Sequence, residues 1–547
     1  MEIVAEQRTS DHPMIINGEL VQGSTGLSDP VCVAPFPQSL NSLYKTEKSS
    51  NSHLSLSLSL SLSLSLLRQV INPATGEVFD YVPHGTREDL DRAVDAAAEA
   101  FKTWSVTPFE ERAACLMKFS ALVEAKADQL ARAMTMEQGK PLSNSLAEVM
   151  GICSKCKEFV EIGDLKSVTV SEDKDAEYKI VYSPRGVIGG ITPWNVRSLH
   201  HFCVSRQPAV CNCGLHVPPA WQFPIGMAAN KLLPSVITGN TVVVKPSPYT
   251  PLATVMLAEM AAKAFPPGVM NIMTGGDELG QMMVEHPKIA QISFTGSAAT
   301  GKKIMATGAA TLKKVTLELG GNDPAVVLPD VEVKDVAPQI FARAMANTGQ
   351  VCVAIKRVFV HESKYEEMAA AMAVEAANAR AVMNDGLLPD TKFGPINNRM
   401  QLARVEGLVE DAKANGARVI AGGNRFNPNG KQVRTAVCLC CSPVLLVAAV
   451  VFTTLYWRAC QGFFYEPTIL ADVQEGVRIV DEEQFGPVMP LIKYTDVEDA
   501  MARANDTDFG LGASVCKINR HHRSSLAVLC RCHCKLFSSY YSSLLTS

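Results

Sequence analysis

Neither sign of charge dominates this chain: 51 Lys and Arg are set against 55 Asp and Glu, for a formal charge of −4. A basic surface that would draw nucleic acid or an anionic membrane is therefore not expected. A small, uncharged or weakly charged ligand fits this balance better. The opening stretch, Met1 to Asn17, lacks a charged segment followed by an apolar one. No export leader is expected from it, and the cytosol is the expected compartment. What the chain does have is bulk, with 547 residues of which 47% are apolar, enough for two or three domains with sizeable cores.

Three stretches lack the order found elsewhere. The first, about 31–69, holds a Ser-Leu alternation from Leu54 to Leu66 that has strand period but no turn chemistry. The second, about 196–222, is rich in Cys, His and Pro, and the third, about 433–461, is mostly uncharged and apolar. Each begins with Val and ends with Gln. Because valine codons begin GT and one glutamine codon is CAG, the three read as introns translated in frame. Excision joins Pro30 to Val70, Asn195 to Phe223 and Gln432 to Gly462. Of sixteen cysteines, only Cys115, Cys153, Cys156 and Cys352 lie outside these stretches and the C-terminal tail. That is an ordinary complement of reduced thiols.

The remaining sequence alternates short apolar runs with amphipathic ones, the pattern of a parallel sheet covered by helices, so an α/β fold is expected. Thr86 and Asp89 form a candidate capping box ahead of Leu90, Ala93, Val94, Ala97, Ala98 and Phe101, which share one helical face. Strands are expected at 186–191, 241–245, 269–273, 291–295 and 314–319. Such alternation suits a nucleotide site at the strand carboxyl ends.

A cysteine on an apolar stretch is ordinarily a small buried hydrophobe. Cys352 is placed differently. The helical run "PQIFARAMAN" is expected to end near Thr348 and Gly349, and "RVFV" opens a strand at Arg357, which leaves Cys352 on the connecting loop. Glu318 stands at the end of a β-like run, followed by Gly320 and Gly321, where a carboxylate can approach a bound substrate.

The segments "ITPWN", "VVVKPSPYTPL", "ISFTGSAATGKKI", "TLELGGNDPAVV", "NTGQVCVAIKR" and "EEQFGPVMPLIKY" resemble the signatures of the NAD(P)-dependent aldehyde dehydrogenase superfamily, in the family's order. A lone Gly-x4-Gly pair such as Gly296 and Gly301 is weak; six motifs in order are specific. The likeness covers about Asn17 to Val515 outside the three stretches. It implies a Rossmann-type NAD(P)-binding domain over 13–319, with a β hairpin at about 166–182 as part of an oligomerisation arm. It implies an α/β catalytic domain over 320–515. Cys352 is implied as the nucleophile toward a small-molecule aldehyde, Asn195 as an oxyanion donor and Glu318 as the base for thioester hydrolysis. For the cofactor, NAD or NADP, the resemblance assigns Lys245 to the adenosine ribose, Glu483 and Phe485 to the nicotinamide ribose, and Trp194, Gly296 and Ser297 to the pyrophosphate. Pro248 stands where NAD-preferring relatives often carry a glutamate, so NAD and NADP both remain open.

The likeness ends near Cys516, and the tail 516–547 leaves the family's closing strand, and with it the oligomer the family forms, incomplete. The tail's Cys530, Cys532, His533 and Cys534 are too tightly spaced for a zinc framework, and no metal is expected. The uncharged run Thr435 to Trp457 is 23 residues long, enough to cross a bilayer. A span there would put Cys352 and Glu483 on opposite sides, so a surface insertion is favoured. The alternative is an inactive or membrane-attached product of a defective gene model. The segment "EQGKPLSNSLAEV" is similar to succinate-semialdehyde dehydrogenases, but "CSKCKEFVEIGD" lacks the arginine expected for a substrate carboxylate, which disfavours a carboxylated semialdehyde.

Overall fold

The computed structural model describes residues 14–21, 67–172, 177–194, 224–428 and 462–516. Asn195, most of the three inserted stretches, the run Thr435 to Trp457 and the tail beyond Cys516 lie outside the described residues.

The N-terminal part contributes β1 (Met14–Ile16), β2 (Glu19–Val21), β3 (Leu67–Asn72) and β4 (Glu77–Pro83). Helices α1 (Arg87–Trp104), α2 (Phe109–Ala125), α3 (Ala127–Gln138) and α4 (Leu142–Ile162) follow, then the hairpin β5 (Val168–Glu172) and β6 (Glu177–Ile180). An alternating series comes next: β7 (Val187–Ile191), α5 (Pro224–Ile237), β8 (Thr241–Lys245), α6 (Leu252–Ala264), β9 (Met270–Ile272) and α7 (Asp277–Glu285). It closes with β10 (Ile289–Thr295), α8 (Ala298–Ala309) and β11 (Lys314–Glu318). These strands form a seven-stranded sheet in the order β11-β10-β7-β8-β9-β1-β2. It is parallel from β11 through β9, and β1 joins antiparallel.

The five expected strands are therefore present, and the reason is visible in their burial. Every residue of β7 and β8 is buried, as expected of continuous apolar runs covered by helices on both faces. In β7, a Cβ at Gly189 would stand 2.7 Å from Ile292 Cδ1, so the glycine admits a neighbour's side chain. The Thr86 capping box forms reciprocally with Asp89, and Leu90, Ala93, Val94 and Ala97 are the buried face of α1. One face of the sheet packs on α2 through α6 and the other on α1, α7 and α8.

A second sheet starts at β12 (Asp323–Val327) and continues through α9 (Val333–Ala344), β13 (Ile355–His361), α10 (Tyr365–Ala381), α11 (Arg399–Ala414) and β14 (Arg418–Ala421). It is completed by β15 (Thr468–Ala471), α12 (Arg478–Asp481), β16 (Val488–Tyr494), α13 (Val497–Asn505) and β17 (Ser514–Cys516). Its order is β14-β15-β16-β13-β12-β17, with β14 antiparallel to β15 and the rest parallel. Period two separates its two cores: β13 turns Phe359 toward α11 and α13, and Val358 and Val360 toward α9 and α10.

Three boundaries differ from expectation. Strand β3 begins at Leu67, inside the first inserted stretch, because Leu67, Arg68 and Gln69 pair with Pro83, Val82 and Tyr81. Helix α9 ends at Ala344 rather than near Gly349. The cause is a left-handed run: Asn347, Thr348 and Gly349 have φ of 50°, 58° and 73°, which no right-handed helix can accommodate. Strand β17 crosses the 515/516 boundary, with Cys516 paired to Val327. The hairpin β5–β6 forms its own two-stranded sheet and is exposed along both strands.

Candidate active site

Four parallel strands end side by side, and each carries an expected site residue at or just beyond its carboxyl end. Ile191 pairs with Lys245, Phe294 with Ile191, and Thr295 with Glu318. Across this edge lie Lys245 on β8, Trp194 after β7, Gly296 and Ser297 after β10, and Glu318 closing β11. Crevices at such edges are where α/β sheets bind ligands.

Lys245 is buried, and its Nζ donates to the carbonyls of Pro246 and Gly275 at 3.2 Å each. Burial pulls its pKa down to about 8, against the opposing effect of the Asp277 carboxylate. Gly296 donates its N–H to Glu318 O at 3.0 Å, tying β10 to β11 just before α8. Ser297 caps α8, its Oγ accepting from Thr300 N at 3.2 Å, and the helix start is exposed. A helix N-terminus open to solvent next to a strand edge is a ready anion seat.

The nucleophile candidate approaches from the second sheet. After α9 the left-handed turn 347–349 is locked in place: a Cβ on Gly349 would lie 1.9 Å from Gly486 O, so only glycine fits. Val351 and Cys352 follow, and Cys352 is buried with its side chain in a small apolar cluster with Met227, Val353 and Leu511. Burial pushes the thiol up to about 12; Lys356 opposes this, while the carboxylates of Glu483, Asp323 and Glu318 add to it. The resting group is therefore a thiol. Lys356, fully buried at the start of β13, donates from Nζ to the carbonyls of Val351 at 2.6 Å and Cys352 at 3.1 Å.

Glu483 meets this loop from the other side. Its Oε1 stands 3.5 Å from Lys356 Nζ and accepts from Gly321 N at 3.3 Å. A Cβ on Gly320 would meet Glu483 Oε2 at 2.2 Å, so the glycine after Glu318 clears room for this carboxylate. Burial raises the pKa of Glu483, with Lys356 opposing. Phe485, in a left-handed conformation with φ 55°, packs edge-on against Trp194 with ring centroids 5.3 Å apart. Cys352, Glu318, Glu483, Phe485 and Trp194 are thus brought close together, with Gly296, Ser297 and Lys245 ranged along the same sheet edge.

Several residues here were missed in the sequence. Lys231, buried in the apolar α5, donates to Thr295 Oγ1 at 2.9 Å and Ser293 Oγ at 3.3 Å. Its pKa falls to about 8 through burial, opposed by the charge of Glu318. Asp323 accepts from Gly512 N at 3.0 Å and so pins the segment that sets Leu511 beside Cys352. Burial lifts its pKa to about 7. The available signal was a charged residue inside an otherwise apolar run: Lys231 in "MAANKLLP", and Lys356 with Arg357 in "VAIKRVFV".

The residues fit a dinucleotide. A glycine-cleared carboxylate, an aromatic pair, an open helix start and a buried lysine are groups of the kind that hold its ribose, ring and phosphates. Among the described residues no group of three or more His, Cys, Asp or Glu could hold a metal ion.

The aldehyde dehydrogenase family model matches the chain over 65–213, 200–443 and 456–530. The joins between the matched pieces fall inside the stretches 196–222 and 433–461, and the last piece runs past Cys516. The chain is 34% identical over 455 residues to the mitochondrial succinate-semialdehyde dehydrogenase of Arabidopsis thaliana, covering 82% of this chain and 74% of that one. It is 34% identical over 454 residues to an aldehyde dehydrogenase of Enchytraeus buchholzi, covering 81% and 79%. Among solved structures, the NAD+ complex of an aldehyde dehydrogenase from Bacillus cereus superposes with a TM-score of 0.75 at 28% identity, covering 96% of this chain and 87% of that one. With the strand-edge crevice, the cysteine loop and these matches in agreement, the chain belongs to the aldehyde dehydrogenase family.

Proposed function

We propose that this chain oxidises an aldehyde to a carboxylic acid with NAD or NADP through a covalent intermediate on Cys352. The supporting observation is the crevice itself: Cys352 lies against Met227 and Leu511, its loop held by Lys356, within reach of the charges of Glu318 and Glu483. The 13–319 portion is assigned to the cofactor and the 320–515 portion to catalysis.

Transfer of the Cys352 proton to solvent water yields the thiolate, which adds to the aldehyde carbon and forms a thiohemiacetal anion. The Cys352 backbone N–H and the Asn195 amide are the proposed donors to the oxygen that gains charge. Lys245, Trp194, Gly296, Ser297, Glu483 and Phe485 are assigned to hold the dinucleotide, whose nicotinamide would supply the hydride acceptor when bound. The thiohemiacetal thereby becomes a thioester. Glu318 then takes a proton from water, the resulting hydroxide attacks the thioester carbonyl, and the acid leaves with Cys352 restored. Pro248 supplies no carboxylate against a 2′-phosphate, which supports accepting NADP as well as NAD.

No described helix is long and apolar enough to cross a membrane. The free thiols of Cys115, Cys153 and Cys156 suit the cytosolic placement proposed here. Assembly through the exposed hairpin β5–β6 belongs to the same reading.

The test is Cys352→Ala in the full chain. Oxidation of propanal, followed as NAD(P)H absorbance, is expected to vanish while equilibrium cofactor binding persists. Substantial turnover by that variant removes Cys352 from the mechanism.

A further inference from the structure

One cation beside the crevice has no part in this chemistry. Lys155 sits on α4, half-buried, on the face turned toward α5. Glu148 occupies the same face and accepts from Gly226 N at 2.9 Å near the start of α5. Two turns further along α4, the Lys155 Nζ donates to Asn230 Oδ1. Asn230 Nδ2 in turn lies 3.7 Å from Met227 Sδ, and Met227 packs on Cys352. A continuous line of side chains therefore runs from the nucleophile to an ammonium group.

Among the described residues no carboxylate forms an ion pair with Lys155. Glu158, one turn away on α4, acts on it only through space. Removing a cation from water without a counter-charge costs several kcal/mol, so a fold that keeps one there gains from it elsewhere. A neutral amide satisfies one of its three N–H groups and brings no counter-charge of its own. Residues three apart on a helix place their Cβ atoms about 5–6 Å apart, so Met227 to Asn230 spans the length of a short aliphatic chain. The walls nearest Cys352 are apolar, from Met227, Val353 and Leu511.

We propose that Lys155 is a specificity-determining residue that receives the carboxylate of an aldehyde substrate carrying an acid at its far end. The inference rests on the dehydrogenase reading above. The apolar wall takes the methylenes, Cys352 takes the aldehyde, and Lys155, directly or sharing the anion with Asn230 Nδ2, supplies the counter-charge the acid needs. The segment "CSKCKEFVEIGD" disfavoured such substrates for want of an arginine; the lysine within it stands in the position to serve.

The experiment compares butanal and hexanal with succinic and adipic semialdehydes, by steady-state NAD(P)H formation, in the full chain and in Lys155→Met and Lys155→Arg. The unmodified chain is expected to favour at least one acid-ended aldehyde over its methyl-ended match by tenfold or more in kcat/KM. Lys155→Met is expected to raise KM for that semialdehyde at least tenfold and leave the plain aldehyde within twofold, and Lys155→Arg to restore most of the preference. Oxidation of plain aldehydes with no acid preference, or an equal loss on both substrates in Lys155→Met, overturns this inference alone. Oxidation of none of the four overturns the dehydrogenase reading and this inference with it.

Discussion

Lys356 and Glu483 face each other at 3.5 Å across the base of the cysteine loop, and the same ammonium holds the carbonyls of Val351 and Cys352. One cation thus fixes the backbone of the proposed nucleophile and compensates the carboxylate assigned to the cofactor. Lys356→Met removes three polar contacts and leaves the half-buried Glu483 carboxylate without this cation. Breaking one side of a buried pair costs about 3 kcal/mol or more. A fall of that size in unfolding free energy is expected from urea denaturation followed by fluorescence. A loss below about 1 kcal/mol would show that the pair contributes little.

Glu318→Gln keeps the shape of the β11 end and the Gly296 N–H bond to the residue's carbonyl. It removes only the carboxylate proposed as the base. Stopped-flow traces are expected to retain a burst of NAD(P)H and then to turn over about a hundredfold more slowly, as loss of a general base requires. Equal slowing of both phases contradicts the assignment.

Asp323 gives a pH signature for stability. Its pKa is raised by burial from 3.8 to about 7, so the folded chain keeps a proton that the unfolded chain releases. The destabilisation is absent below pH 3.8, grows as pH rises toward 7, and is complete above it. Asp323→Asn keeps an oxygen for Gly512 N and carries no charge. At pH 8 it is expected to stabilise the chain by on the order of 2 kcal/mol, with the gain shrinking as pH falls toward 5. A variant that is less stable at pH 8 shows that the carboxylate's attraction to Lys356 outweighs its burial.

The Cys352 thiol, held up to about 12 by burial, is expected to react slowly at neutral pH in the cofactor-free chain. Its alkylation by iodoacetamide, read by peptide mass, should climb with pH from 7 to 10 without a plateau, because only the thiolate attacks. A plateau near pH 7 would mean that a neighbouring group already ionises the thiol.

The positions of five strands of the first sheet were legible in the sequence because parallel strands buried on both faces leave continuous apolar runs, as in "TVVVK" and "ISFT". Cys352 and Glu318 stood out for the same reason, as polar residues beside such runs and beside glycines. Lys231 and Asp323 did not, because their partners are hydroxyls or an amide on distant segments, and Lys356 did not because the carbonyls it holds, four and five residues before it, belong to an irregular loop whose shape no spacing encodes. The end of α9 was misplaced because "AMANTG" carries good helix formers up to Asn347, while the left-handed turn is imposed by close packing on Gly486. The strand start at Leu67 was hidden for a similar reason: its partners, Pro83 to Tyr81, lie across a hairpin.

That packing at Gly349 has a further consequence. The backbone of the nucleophile loop and the backbone that presents Phe485 touch with no side chain between them. Neither can shift by even a methyl group's width without displacing the other. If Cys352 serves the substrate and Phe485 the cofactor as proposed, alterations on the two sides are not independent variables: a change that re-aims Cys352 for a bulkier aldehyde also presses on Phe485, and selection on either must answer to both.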